Sequence, residues 1–106
     1  MKLKIHWLSS GKEFEEFYDS HRFEGNYFGY ELEPADMENQ YNEWMNFPYV
    51  VRVGLGETEP ELWGYLIVEF KEDIQLTLSE SLQLSDLMCD ADEVRLDKSC
   101  LILWWD

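Results

Sequence analysis

Two apolar segments near the middle of the chain have the strongest hydrophobic pattern. They are Tyr49–Leu55 and Leu62–Phe70, and both are almost continuous in apolar side chains. Such runs are typical of strands that are covered on both faces, or nearly so. The segment Gly56–Glu61 between them contains Pro60 and three glutamates, which predicts a turn. The pattern therefore predicts a central hairpin around which the rest of the chain is organised.

Strands are also predicted at both ends of the chain. Met1–Leu8 alternates apolar and polar positions, which places Leu3, Ile5 and Trp7 on one face. The run Cys100–Trp105 is apolar throughout and predicts a buried strand. Weaker alternation predicts two further strands, at Tyr27–Glu33 and over Ile74, Leu76 and Leu78.

One helix is predicted directly after the first strand. Ser10 followed by Glu13 has the spacing of a capping box, so we expect the helix to begin near Gly11. Gly25-Asn26 is a typical helix end. At helical spacing, one face collects the apolar and histidine side chains of Phe14, Phe17, Tyr18 and His21.

A second helix is predicted over Ala35–Asn46, with Pro34 well placed in its first turn. Its apolar face collects Met37, Tyr41, Trp44 and Met45. The segment Ser79–Asp92 fits neither the helical nor the strand period, and a short helix at Asp86–Cys89 capped by Ser85 is the favoured interpretation.

These elements predict an α+β fold formed by residues 1–106 as a single domain. The expected architecture is a mostly antiparallel five- or six-stranded sheet with two or three helices packed on one face.

Net charge is the unusual property of the chain. There are 23 Asp and Glu against 8 Lys and Arg, which gives −15 at pH 7. A net charge of magnitude about 2–8 keeps a small domain soluble, and a larger one destabilises the compact state by self-repulsion. The excess therefore indicates a functional role. Direct binding of nucleic acid is not expected, because such surfaces need clustered Lys and Arg.

The residues that could perform chemistry form no catalytic or metal-binding motif. His6 is expected on the polar face of the first strand and His21 at the edge of the core, and neither has a neighbouring Ser or Cys in a nucleophile setting. The acidic run from Asp90 lacks the Gly and Glu positions of a calcium loop. The sequence thus predicts a protein that is not an enzyme and has no cofactor or metal.

The beginning of the chain has no apolar core of a signal peptide, and no apolar run approaches the about 20 residues of a membrane span. Cys89 and Cys100 are too few for a disulfide framework. We expect a cytoplasmic protein that does not bind membranes.

Two windows lack Lys and Arg, from Arg22 to Arg52 and from Arg52 to Lys71; both contain several acids, and in the first the acids are interleaved with aromatic side chains. In an interface, aromatic rings provide anchors and carboxylates steer a basic partner. The predicted partner-binding residues are Glu31, Glu33, Asp36, Glu38, Tyr41, Glu43, Trp44, Glu57, Glu59 and Glu61.

Three functions are consistent with these features. The first is a small acidic inhibitor or immunity protein that neutralises a basic partner, with a bacterial toxin nuclease as the obvious candidate. In size and charge the chain is similar in kind to small nuclease inhibitors, with which it shares no motif. The second is a DNA mimic from a phage or mobile element that blocks a restriction, CRISPR or other DNA-binding defence protein. The third is a small ligand-binding domain or enzyme.

Overall fold

The computed structural model describes residues 3–24, 34–88 and 91–105. This part of the chain forms three helices and a six-stranded sheet, which confirms the predicted α+β class. In chain order the elements are β1 (Ile5–Trp7), α1 (Gly11–Ser20), β2 (Arg22–Phe23), α2 (Pro34–Asn46), β3 (Val50–Glu59), β4 (Leu62–Phe70), α3 (Leu78–Met88), β5 (Glu93–Asp97) and β6 (Cys100–Trp104).

The sheet has the strand order β1-β3-β4-β6-β5, and every pair of neighbours along this path is antiparallel. The short strand β2 lies off the path and pairs in parallel with Leu62 and Trp63 at the start of β4. The predicted hairpin of β3 and β4 forms the centre of the sheet, and its turn is shorter than expected because β3 continues to Glu59.

The strand register turns one face of the sheet toward the helices. Val53, Leu55, Leu66 and Val68 on the central hairpin belong to one hydrophobic cluster with Leu101, Leu103 and Trp105 at the end of the chain. The helices complete this cluster with Phe14, Phe17, Met37, Tyr41, Trp44 and Leu87. All three helices therefore lie on one side of the sheet, as predicted.

The opposite side, called here the outer face, has no helix from the described part of the chain over it. The register places Trp7, Gly54, Ile67 and Ile102 in one row across it. A Cβ atom on Gly54 would lie 2.7 Å from Cε3 of Trp7, so glycine is needed for the indole ring to lie on the sheet. Trp7 faces outward because His6 and Leu8 occupy the inward positions of this segment.

The prediction of α1 is accurate at the start of the helix and wrong at its end. Ser10 is the N-cap of α1, and its side chain accepts a hydrogen bond from the Glu13 N–H, as the capping box predicted. However, α1 ends at Ser20, and Arg22 and Phe23 form β2. The predicted helix end at Gly25-Asn26 and the predicted strand Tyr27–Glu33 lie outside the described residues.

The largest correction concerns the segment between β4 and β6. The predicted strand over Ile74–Leu78 is absent, and the predicted short helix Asp86–Cys89 is the end of a longer one, Leu78–Met88. A complete capping box fixes its start, because Thr77 N–H donates to the Glu80 carboxylate and Glu80 N–H donates to the Thr77 hydroxyl. The strand β5, which the pattern did not predict, follows it.

Candidate partner-binding surface

The three helices of the described part form a strongly acidic layer over the sheet. They contain four acids in α1, three in α2 and two in α3, against the single cation Lys12. We call this set the acidic helix layer; its acids are Glu13, Glu15, Glu16, Asp19, Asp36, Glu38, Glu43, Glu80 and Asp86. Because the helices share one side of the sheet, the folded chain concentrates negative potential on that side.

The predicted acids on α2 belong to this layer. Glu38 and Glu43 are exposed and Asp36 is half-buried. Glu43 lines a cleft of about 330 Å³ between α2 and α3, which also includes Asp86 of α3. Glu31 and Glu33, which were also predicted to bind a partner, lie outside the described residues.

The two aromatic residues of the predicted surface are corrected by the structure. Tyr41 is 9% exposed and Trp44 is fully buried, so neither ring is available to a partner. Both belong to the helical face that includes Met37, and that face is the one α2 buries in the core. Burial, followed by the negative charge of Glu13, also raises the pKa of Tyr41.

The predicted acids of the hairpin lie in a different environment. The Glu57 carboxylate accepts a hydrogen bond of 2.6 Å from the Glu61 N–H, which holds the turn, and it lies 4.0 Å from Lys4 Nζ. Glu57 and Glu61 also line a cleft of about 370 Å³ with His21 and Arg22. Glu57 is therefore partly neutralised, whereas Glu59 and Glu61 are exposed at the turn.

Two arginines lie on or beside the outer face, opposite the acidic helix layer. The Arg52 guanidinium lies 3.8 Å from the centre of the Trp7 ring and donates a 2.9 Å hydrogen bond to Glu69. Arg95 lies over the ring of Tyr65 at 5.4 Å. Cation–π contacts of this kind hold both positive charges on the outer face. The outer face therefore has positive charges beside acids such as Glu69 and Asp97, whereas the helices on the other side contain nine acids and one lysine.

The sequence analysis did not identify two exposed leucines in the acidic helix layer. Leu78 is 80% exposed and Leu82 is 64% exposed, one helical turn apart on α3. Leu84, Leu87 and Met88 of the same helix pack on the core. The i, i+4 spacing of Leu78 and Leu82 is visible in the sequence, but it indicates a shared helical face only if both residues are known to lie in one helix.

Three polar residues near the start of α1 form the closest approach to a catalytic group. The Glu13 carboxylate accepts a 2.7 Å hydrogen bond from the Ser9 hydroxyl and lies 3.1 Å from His6 Nε2. A hydrolytic triad needs the hydroxyl to contact the imidazole, and here both contact the carboxylate. The cluster therefore joins β1 to α1. His6 lies under α1 and stacks on Phe17 at 4.3 Å, which corrects its expected place on a polar face.

The contacts of His21 and Cys100, the remaining candidates for chemistry, indicate structural roles. His21 stacks on Phe17 at 3.7 Å and its Nδ1 lies 3.0 Å from the Phe17 carbonyl oxygen. Burial raises the pKa of Cys100, which disfavours the reactive thiolate. Within the described ranges, no three His, Cys, Asp or Glu side chains gather to hold a metal ion, and no helix is long and apolar enough to span a membrane.

Replacing Glu13 with glutamine is expected to lower the free energy of unfolding by about 0.5 kcal/mol near neutral pH, the usual size for a partly exposed pair. The Ser9 hydroxyl, with smaller contributions from the Ser9 N–H and His6, lowers the pKa of Glu13. A carboxylate with a lowered pKa stabilises the fold above its unfolded pKa, and this stabilisation is lost as pH falls through the folded pKa. Urea unfolding of wild type and variant should therefore differ near neutral pH and converge in acid.

The matched control is Glu16→Gln, because Glu16 is an exposed acid on the same helix. The same change there should have little effect at either pH. A difference between Glu13→Gln and wild type that did not depend on pH would contradict a role for the ionised carboxylate.

Comparison with known proteins identifies no relative of this chain: no family model, no curated protein and no solved structure matches it.

Proposed function

We propose that the protein is a small acidic inhibitor that binds and neutralises a basic, nucleic-acid-binding partner, with a bacterial toxin nuclease as the first candidate. The observation that supports this most is the acidic helix layer, which has nine carboxylates and one lysine on one side of the sheet. A cytoplasmic location, where an immunity protein would meet such a toxin, is part of the proposal.

The physical reason is electrostatic complementarity. A nuclease attracts phosphate with clustered Lys and Arg, and a surface of the opposite sign reaches that site at steered association rates. Because Arg52 and Arg95 are held at the outer face, they do not interrupt the acidic helix layer. The partner is therefore expected to dock on the helices.

Burial of Tyr41 and Trp44 favours the second candidate, a DNA mimic that blocks a defence protein. Without these rings, the α2 part of the acidic helix layer presents carboxylates and amides, among them Glu38, Asn39, Asn42 and Glu43. Such a surface is closer to a phosphate backbone than to an interface with aromatic anchors. The exposed leucines of α3 favour the first candidate, because apolar side chains do not imitate phosphate groups but can anchor a protein partner.

The test is inhibition by the purified protein in two panels, one of bacterial toxin nucleases and one of non-cleaving DNA-binding defence proteins. Nuclease inhibition that weakens as salt rises is expected for the first candidate, because exposed charges are screened at high ionic strength. Displacement of DNA from the second panel alone would favour mimicry. Absence of both effects at low salt would contradict the proposed function.

A further inference from the structure

The outward side of α3 is an apolar ridge within the acidic helix layer. Leu78 and Leu82 are 80% and 64% exposed, and residues spaced i, i+4 on a helix have Cβ atoms about 5–6 Å apart. We call this pair the leucine ridge. The packing of α3 on the core does not depend on these two leucines, because Leu84, Leu87 and Met88 already form the inward side of the helix.

The surroundings of the leucine ridge determine which occupant fits it. The helix α3 contains Glu80 and Asp86 and has no Lys or Arg in its sequence, LSESLQLSDLM. A second copy docking through the ridge would bring two acidic helix layers together, which like-charge repulsion disfavours. A basic protein gains from the same charges, so charge complementarity selects it.

A cleft beside α3 adds a place for a cation from such a partner. It has a volume of about 330 Å³ and is lined by Glu43, Asn46, Gln83, Asp86 and Leu87. A Lys or Arg side chain can lay its aliphatic stem on Leu87 and direct its charged group toward the two carboxylates. Because Asp86 follows Leu82 by one helical turn on α3, the apolar ridge and the acidic cleft adjoin each other.

We propose that the leucine ridge is the apolar anchor of the interface, inserted into an apolar groove that is rimmed by Lys or Arg on the basic partner. This inference rests on the proposed function and adds to it the residues that supply contact area after electrostatic steering. Interfaces gain most of their affinity from a few well-buried anchors surrounded by polar contacts. The ridge takes the place that Tyr41 and Trp44 were predicted to have.

The experiment uses the full chain and two defined probes of equal charge. One is an amphipathic helical peptide of Leu and Lys, which offers an apolar stripe rimmed by ammonium groups, and the other is oligolysine, which offers the charge alone. Affinities are measured by titration calorimetry, and the methyl signals of Leu78 and Leu82 are followed by NMR. The test variant is Leu78→Gln/Leu82→Gln, since Gln keeps the helix propensity of Leu.

The matched control is Leu96→Gln, because Leu96 is a leucine of similar exposure, 73%, on the edge strand β5. Wild type and Leu96→Gln are expected to bind the amphipathic peptide more tightly than oligolysine. Because the two leucines are only partly buried against a short peptide, the double variant should lose about 10- to 100-fold affinity for the peptide. Its affinity for oligolysine and its thermal unfolding midpoint should not change.

The outcomes separate the inference from the function on which it rests. If wild type binds both probes equally, or the double variant keeps the preference for the amphipathic peptide, the leucine ridge is not the apolar anchor. The proposal that the acidic helix layer binds a basic partner is then unaffected. If wild type binds neither probe at low salt, the proposed function fails as well. Self-association of wild type that the double variant abolishes would identify a second copy as the occupant and overturn the inference.

Discussion

Replacing Trp44 with alanine is expected to destabilise the protein by about 3–5 kcal/mol, the usual cost of removing a large buried aromatic side chain. Its side chain is fully buried in the cluster that joins α2 to the sheet. Natural domains have a free energy of unfolding of only about 5–15 kcal/mol, so this loss is a large fraction of the total stability. Urea unfolding followed by far-UV circular dichroism measures the change.

The contrast with an exposed residue makes this result informative about the interface. Leu82→Ala, on the outward side of α3, is expected to change stability by less than about 0.5 kcal/mol, because it removes few contacts within the fold. A Trp44→Ala variant that kept wild-type stability would show that Trp44 is not a core residue. The Trp44 ring would then again be a candidate for direct contact with a partner. Any loss of binding by Trp44→Ala must therefore be judged against its loss of fold.

The sequence predicted well the elements whose apolar residues form one clear face and the strands that are apolar on both faces. The hairpin of β3 and β4, the helix α2 and the strand β6 all have strong apolar patterns, and all are present. The first strand shows the limit of this reasoning. Alternation in Met1–Leu8 separates two faces but does not say which one meets the helices, and here Trp7 faces outward while His6 packs on Phe17.

Most of the helix α3 was missed because its leucines occupy two sides. A helical period is visible only when apolar residues share one stripe, and Leu78 and Leu82 point away from the stripe that Leu84 and Leu87 form. The capping box of Thr77 and Glu80 was a readable signal of the helix start. Leu78 and Leu82, which obscure the helical period of α3 in the sequence, are also the leucines of this helix that are most exposed in the folded protein.

The candidate surface was predictable in its charge and not in its anchors. Composition alone indicated an acidic interaction surface. However, Tyr41 and Trp44 were assigned both to the apolar face of α2 and to the partner surface, and one helical face cannot serve both when the core needs it. Tertiary packing decided in favour of the core. For the hairpin, the hydrogen bond from Glu61 to Glu57 and the nearby Lys4 could not be foreseen from spacing.

Neutralising four exposed acids of the acidic helix layer is expected to slow association with a basic nuclease by about tenfold or more at low salt, since steering contributes about 10- to 1,000-fold. The variant is Glu16→Gln/Asp19→Asn/Glu38→Gln/Glu43→Gln, and all four side chains are exposed. Stopped-flow association rates at several salt concentrations measure the effect. The dependence of the rate on salt should flatten, because fewer charges remain to be screened.

The control must change the same amount of charge elsewhere. Glu72→Gln/Asp73→Asn/Glu93→Gln/Asp97→Asn also removes four exposed acids, all outside the helices. Both variants change the net charge from −15 by the same four units, so a simple effect of total charge would slow them equally. A larger loss in the helix variant requires that the partner approach the helices. Equal losses would mean that the carboxylates act only as a diffuse field, and the interface would then have to be sought elsewhere on the molecule.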